Sequence, residues 1–245
     1  MKSIVFASRC GKEMIRDKLN LAFGIGFPVI LLVLLSTIQA NIPVSMFEIQ
    51  RLVPGIAVFG LSFVSLFAAV LISKDRQSSF LMRLYSSPLL PSDFLIGYTL
   101  PLLPMSLAQS LVCVLVGFAF GFELNAYTFL MLAVLLLCSV FYISLGLLFG
   151  SVLNDKQIGG VCGALLTNLT AWLSGVWFDV ALVGGVFEKI ANALPFIHMA
   201  QAAAAAAAGD TAGMFPHLWY VVAYTAVICI GSVIIFRSKM NAEAV

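Results

Sequence analysis

The sequence predicts an all-α integral membrane protein with six transmembrane helices, and three observations predict it. Hydrophobic residues make up 62% of the chain and charged residues only 10%, whereas a soluble domain carries roughly 25% charged residues to face water. Six apolar stretches are each long enough to cross about 30 Å of hydrocarbon at about 1.5 Å per residue. Lysine and arginine fall almost wholly on one side of the resulting loop pattern. So little charge excludes a water-soluble globule, and the apolar runs leave no room for a separate soluble domain.

In chain order, residues 1–18 come first. Ile4, Ala7, Gly11 and Ile15, with Val5 and Met14 beside them, recur at helical spacing, while Arg9, Lys12, Glu13 and Arg16 share the other side. That pattern predicts a basic amphipathic helix along the inner leaflet, acting either as a lipid anchor or as a docking helix through Arg9, Lys12 and Arg16. The apolar run behind it begins near Leu19 with no small-residue cleavage site, which predicts an uncleaved first span.

The spans are expected at 19–39, 52–73, 94–120, 127–150, 158–178 and 217–236. Apart from their ends they lack Asp, Glu, Lys and Arg, each of which costs on the order of 2.5–3.5 kcal/mol at mid-membrane. With both termini inside, eleven basic residues are cytosolic (Lys2, Arg9, Lys12, Arg16, Lys18, Lys74, Arg76, Arg83, Lys156, Arg237 and Lys239) against two outside, Arg51 and Lys189. Tyr127, Trp177, Trp219 and Tyr220 then fall at the outer interface, where amphipathic rings prefer to sit. Gly117–Gly121, Gly146–Gly150 and Gly159–Gly163 space small residues one turn apart, as close helix packing in lipid requires. Pro28, Pro101 and Pro104 are expected to kink the first and third spans. Ser62, Ser106, Gln109, Thr167, Asn168 and Thr170 are expected to bridge helices by hydrogen bonds.

Between spans two and three, residues 74–93 form a cytosolic loop. Ser78 or Ser79 is placed to cap a short helix, along which Phe80, Leu81, Leu84 and Tyr85 make an apolar stripe. Ser87-Pro88 stops it and Pro91-Ser92-Asp93 starts the next helix. A short helix with an apolar face and basic edges predicts a docking site for a partner that these residues alone do not identify. After span five, residues 179–216 form an outer segment whose alanine run, 202–208, predicts a tightly packed helix ended by Gly209.

Several chemistries are not expected. No GxxxxGK[ST] loop occurs, so ATP is not expected to bind this chain. His198 and His217 lack metal-ligand spacing, and the five cysteines form no CxxC. Spans without ionisable residues argue against a proton-driven carrier. No catalytic residue, metal site or nucleic-acid partner is predicted.

Read with its flanking spans, the cytosolic loop resembles the coupling region of ATP-binding-cassette type-2 export permeases, whose pattern runs acidic-x-acidic, Gly-Thr-Leu, Glu-x-Leu and Ser/Thr-Pro. Asp75 and Gln77 stand at the acidic positions, Ser79-Phe80-Leu81 at Gly-Thr-Leu, and Leu84 and Ser87-Pro88 match, with Met82 in place of the second glutamate. The outer segment is similar to the re-entrant hairpin that precedes the last span in that family and ends in Leu-Pro-x-x-His, here Leu194, Pro195 and His198.

The resemblance implies a single transmembrane permease domain over 1–245, multi-pass in a plasma membrane of the bacterial inner type, with both termini cytosolic. It implies a dimer with a second six-span subunit, identical or homologous, and a pair of ATP-binding-cassette ATPase subunits that grip Phe80, Leu81, Arg83, Leu84 and Pro88 and hold ATP and Mg. It places the substrate pathway along spans two and five, at Phe59, Ser62, Phe63 and Asn168. The apolar, aromatic character of such a path suits export of a hydrophobic or amphipathic drug, lipid or peptide, as in multidrug efflux. Two other readings stay open: a non-transporting membrane scaffold, and an exporter subunit for lipid-linked polysaccharide.

Overall fold

The computed structural model describes residues 2–43, 47–78 and 91–243, and every regular element among them is helical. Helix α1 spans Lys2–Arg16, α2 Lys18–Asn41, α3 Ile49–Gln77, α4 Pro91–Ala119 and α5 Tyr127–Val152. Helix α6 covers 155–173, followed by α7 (Val180–Val183), α8 (Gly185–Ala193), α9 (Pro195–Ala208) and α10 (Thr211–Glu243).

Five of these are long and apolar enough to cross a membrane: α2, α3, α4 from Asp93, α5, and α10 as far as Lys239. They contain the first four and the last of the expected spans, although α10 starts earlier, at Thr211, and α4 ends at Ala119. The expected fifth span is the correction. Helix α6 begins at Asp155, runs through a π-helical stretch Gly159–Leu166, and stops at Leu173 rather than reaching Phe178. Gly175 adopts φ +72° just beyond it, a backbone turn that an apolar run does not reveal. Helices α8 and α9 are bent by 72° at Leu194 and add a sixth crossing only if taken as one broken span.

The core is built around α3. In its most apolar window 89% of residues are buried, against 17% for α10, so α3 is the central strut and α10 lies at the periphery. Its closest neighbour is α5. A Cβ on Gly146 would overlap the carbonyl oxygen of Ser65, and one on Gly150 would stand 2.6 Å from the carbonyl oxygen of Ala69. Of the three glycine pairs only this one brings backbones together: Gly159 faces open space, and Gly121 occupies a turn at φ +96°. In lipid, where no hydrophobic effect drives helices together, such close approach is the source of adhesion.

Proline leaves its mark on α2. Pro28 has no N–H for the carbonyl of Gly24, and Ala22–Gly26 widens into a π-helical turn just ahead of it. The six polar side chains expected to bridge helices divide. Gln109 reaches the Ala57 carbonyl on α3 at 3.4 Å, and Thr170 pairs with Tyr142 at 3.1 Å. Ser62, Ser106, Thr167 and Asn168 bond back to carbonyls of their own helices instead.

Candidate functional site

The end of α3 carries three consecutive charged residues, Lys74, Asp75 and Arg76. Each ties a different element to it. The Lys74 ammonium lies 3.3 Å from Asp17, which also accepts from the backbone N–H of Asn20 and so caps the start of α2. Arg76 donates to the Gly150 carbonyl at 3.0 Å, satisfying one of the acceptors left over at the end of α5.

Asp75, between them, is 1% exposed. It accepts both arms of the Arg9 guanidinium, at 2.5 and 2.6 Å, and the Tyr98 hydroxyl of α4 at 2.8 Å. A buried carboxylate needs this many donors, and the planar fork of arginine matches it. Burial alone would lower the Arg9 pKa, but the hydrogen bond and charge of Asp75 outweigh it and hold the guanidinium protonated above its ordinary range. Burial pushes the neighbouring Cys10 thiol up to about 12, so it is an inert packing group.

Helix α1 is therefore folded against α4 by its inner edge. Phe6 meets Phe94 and Tyr98 edge-to-face, and Phe6, Ala7 and Cys10 are buried. Of the expected apolar face, Ile4, Val5 and Ile15 point outward, exposed by 63%, 72% and 71%. Arg9, read as a docking residue, is engaged inside the molecule with Asp75 and, at 2.9 Å, Glu13; Lys12 and Arg16 remain on the surface. Ser78 closes α3 by bonding to the Asp75 carbonyl. Phe80, Leu81, Arg83, Leu84 and Pro88 lie outside the described residues.

A second feature lies between α2, α3 and α6: a cleft of about 640 Å³. Phe59, Phe63 and Asn168 line it, as do Phe23 and Phe27 of α2 and Thr167 of α6. Trp172, Trp177 and Phe178 complete the aromatic wall. The rings interlock: Phe59 meets Phe63 and Trp177 edge-to-face at 5.7 and 6.3 Å, and Trp172 meets Phe178 at 6.2 Å. Ser62 is not among the lining residues; it is fully buried and donates to the Phe59 carbonyl at 2.7 Å. The sequence reading did not single out the other aromatics of this cleft, those of α2 and those at and beyond the end of α6. Their signal, phenylalanines one turn apart at 23 and 27, is visible in the sequence but looks like ordinary lipid-facing surface.

The third feature is the corner at Leu194-Pro195. Leu194 is held extended at ψ 156° before the proline, which opens α9 at its first position. His198, one turn on, sets its Nε2 2.9 Å from the Asn192 carbonyl and its Nδ1 2.9 Å from Nδ1 of His217, and it stacks on Tyr220 at 4.1 Å. The contact with Asn192 requires a proton on Nε2, so in neutral His198 Nδ1 accepts and His217 donates. Sequence spacing gave no sign of this pairing, because it depends on the tight turn at Gly209, φ 74°, which returns α10 alongside α9. No group of three or more potential metal ligands occurs among the described residues.

The sequence model of one family, described as ABC-2 type transporter, matches residues 3–207 of the chain. That range takes in α1, the charged junction, the cleft and the Leu194-Pro195 corner. No curated protein and no solved structure matches the chain.

Proposed function

Because the chain belongs to the ABC-2 type transporter family, we propose that it is the membrane subunit of an ATP-driven exporter of hydrophobic or amphipathic compounds. Two such subunits form the pathway, and a pair of ATPase subunits drives it from the cytosolic side.

The observation that supports this most is the junction at Lys74-Asp75-Arg76. It stands immediately before the segment carrying Phe80, Leu81, Arg83 and Leu84, and it joins α3 to the middle of α1, to the starts of α2 and α4 and to the end of α5. Force applied to that segment is passed to four other helices at once. Phe59, Phe63 and Asn168 line the path taken by the cargo, and Lys12 and Arg16 flank the docked ATPase.

The arrangement in the membrane follows from charge. Lys156 places the start of α6 in the cytosol, and Arg237 and Lys239 place the end of α10 there too. As α10 is itself a crossing, one further crossing must lie between the start of α6 and the start of α10. Helix α6, whose three helical stretches hold four, eight and seven residues, spans about 28 Å, close to the hydrocarbon thickness. It makes the crossing, and the bent pair α8–α9 dips in from the outer face and returns.

The test is purification from the native membrane followed by reconstitution. A P-loop ATPase in stoichiometric amount and ATP-dependent movement of a hydrophobic dye into inside-out vesicles are the expected results. Reproducible absence of either overturns the proposal. Leu84→Asp is expected to abolish transport while ATP hydrolysis and the helical circular-dichroism signal persist.

A further inference from the structure

The geometry points to the aromatic cleft as a binding site for one hydrophobic organic cation, and as a site that rejects anions. This rests on the exporter reading for its role in transport, but not for the binding itself.

Seven of the eleven residues lining the cleft are aromatic and none is charged. Its volume of about 640 Å³ suits a single ligand of drug size. A ring carries the negative lobe of its quadrupole on its face, so aromatic walls give a cation a favourable partner that an anion lacks. An anion entering would leave water and meet no compensating positive group.

The polar side chains of the cleft point the same way. Thr167 spends its hydroxyl proton on the Gly163 carbonyl at 2.6 Å. Asn168 commits one of its two amide N–H groups to the Ala164 carbonyl at 2.8 Å. Both retain oxygen lone pairs for a ligand, and Asn168 keeps one amide N–H as well. Apart from the two indoles and that one amide N–H the cleft has no side-chain donor, and its lining carries no positive charge to offer an anion; the Trp177 N–H is buried. A bulky ammonium, phosphonium or protonated amine with aromatic or aliphatic substituents matches these walls.

The test uses tetraphenylphosphonium and tetraphenylborate, which have nearly the same shape and opposite charge. The full chain is purified in detergent as Trp219→Phe, so that fluorescence reports only Trp172 and Trp177. Tetraphenylphosphonium is expected to quench saturably, and Phe63→Leu to weaken its binding by about tenfold. Asn168→Asp is expected to tighten it and Asn168→Lys to weaken it, which keeps the test decisive if one variant folds poorly. Borate is expected to show no component sensitive to these changes. Equal or tighter mutation-sensitive binding of borate overturns the inference. So does binding of neither ion, the outcome if a second copy of the chain or a lipid fills the cleft. Binding is read without ATPase or ATP, so its failure leaves the exporter proposal standing on co-purification and vesicle transport, and failure of those leaves the binding result intact.

Discussion

Asp75 accepts three hydrogen bonds from two helices while nearly sealed from water, so its removal exposes a debt on both sides. Asp75→Asn is expected to cost about 2–3 kcal/mol of stability, below the ~3–5 kcal/mol of a fully buried pair because Arg9 is partly exposed and keeps Glu13. Thermal unfolding of the purified protein checks it, and Arg9→Lys is expected to lose less, retaining the charge but not the fork. The position of Asp75 was legible in the loop motif. Its partner was not: a helical wheel sorts Arg9 onto the polar side of α1 but says nothing of a carboxylate 66 positions away. Phe59, Phe63 and Asn168 share the cleft because two helices face each other there, whereas Ser62, one turn from Phe59, turns its hydroxyl back into α3.

At the level of elements, glycine spacing marked three candidate contacts and packing selected one. Gly150→Ala is expected to destabilise by about 1–3 kcal/mol, since the added methyl meets the α3 backbone rather than a movable side chain. Gly159→Ala, in open space, is expected to change stability by less than about 1 kcal/mol either way. Thermal unfolding of both variants separates close packing from composition. Five long helices were plain in the sequence because an apolar run bounded by charge has one solution in lipid. Helix α6 was misjudged at its end because the run continues through Trp177 and Phe178, and a turn lined with aromatic rings is as apolar as a helix. The π-helical stretch at Gly159–Leu166 likewise leaves no periodicity to read.

For the molecule as a whole, the division of basic residues predicts that α1 and the α8 region lie on opposite sides of the membrane. Cysteines placed at Lys12 and Lys189, both on the surface, are expected to react with an impermeant maleimide from opposite faces of sealed vesicles; labelling of both from one face would refute the arrangement. The distribution of burial carries a mechanical consequence. Helix α3 is a single rod of 29 residues, about 43 Å long, with Pro54 near its start and the charged triplet at its end. Pivoting such a rod by about 5° about one end displaces the other by about 4 Å. A tilt of that size about the glycine contact with α5, at Ser65 and Ala69, moves Phe59, about 12 Å along the rod, by about 1 Å and Pro54, about 20 Å along it, by about 2 Å, with no bending or melting of any helix.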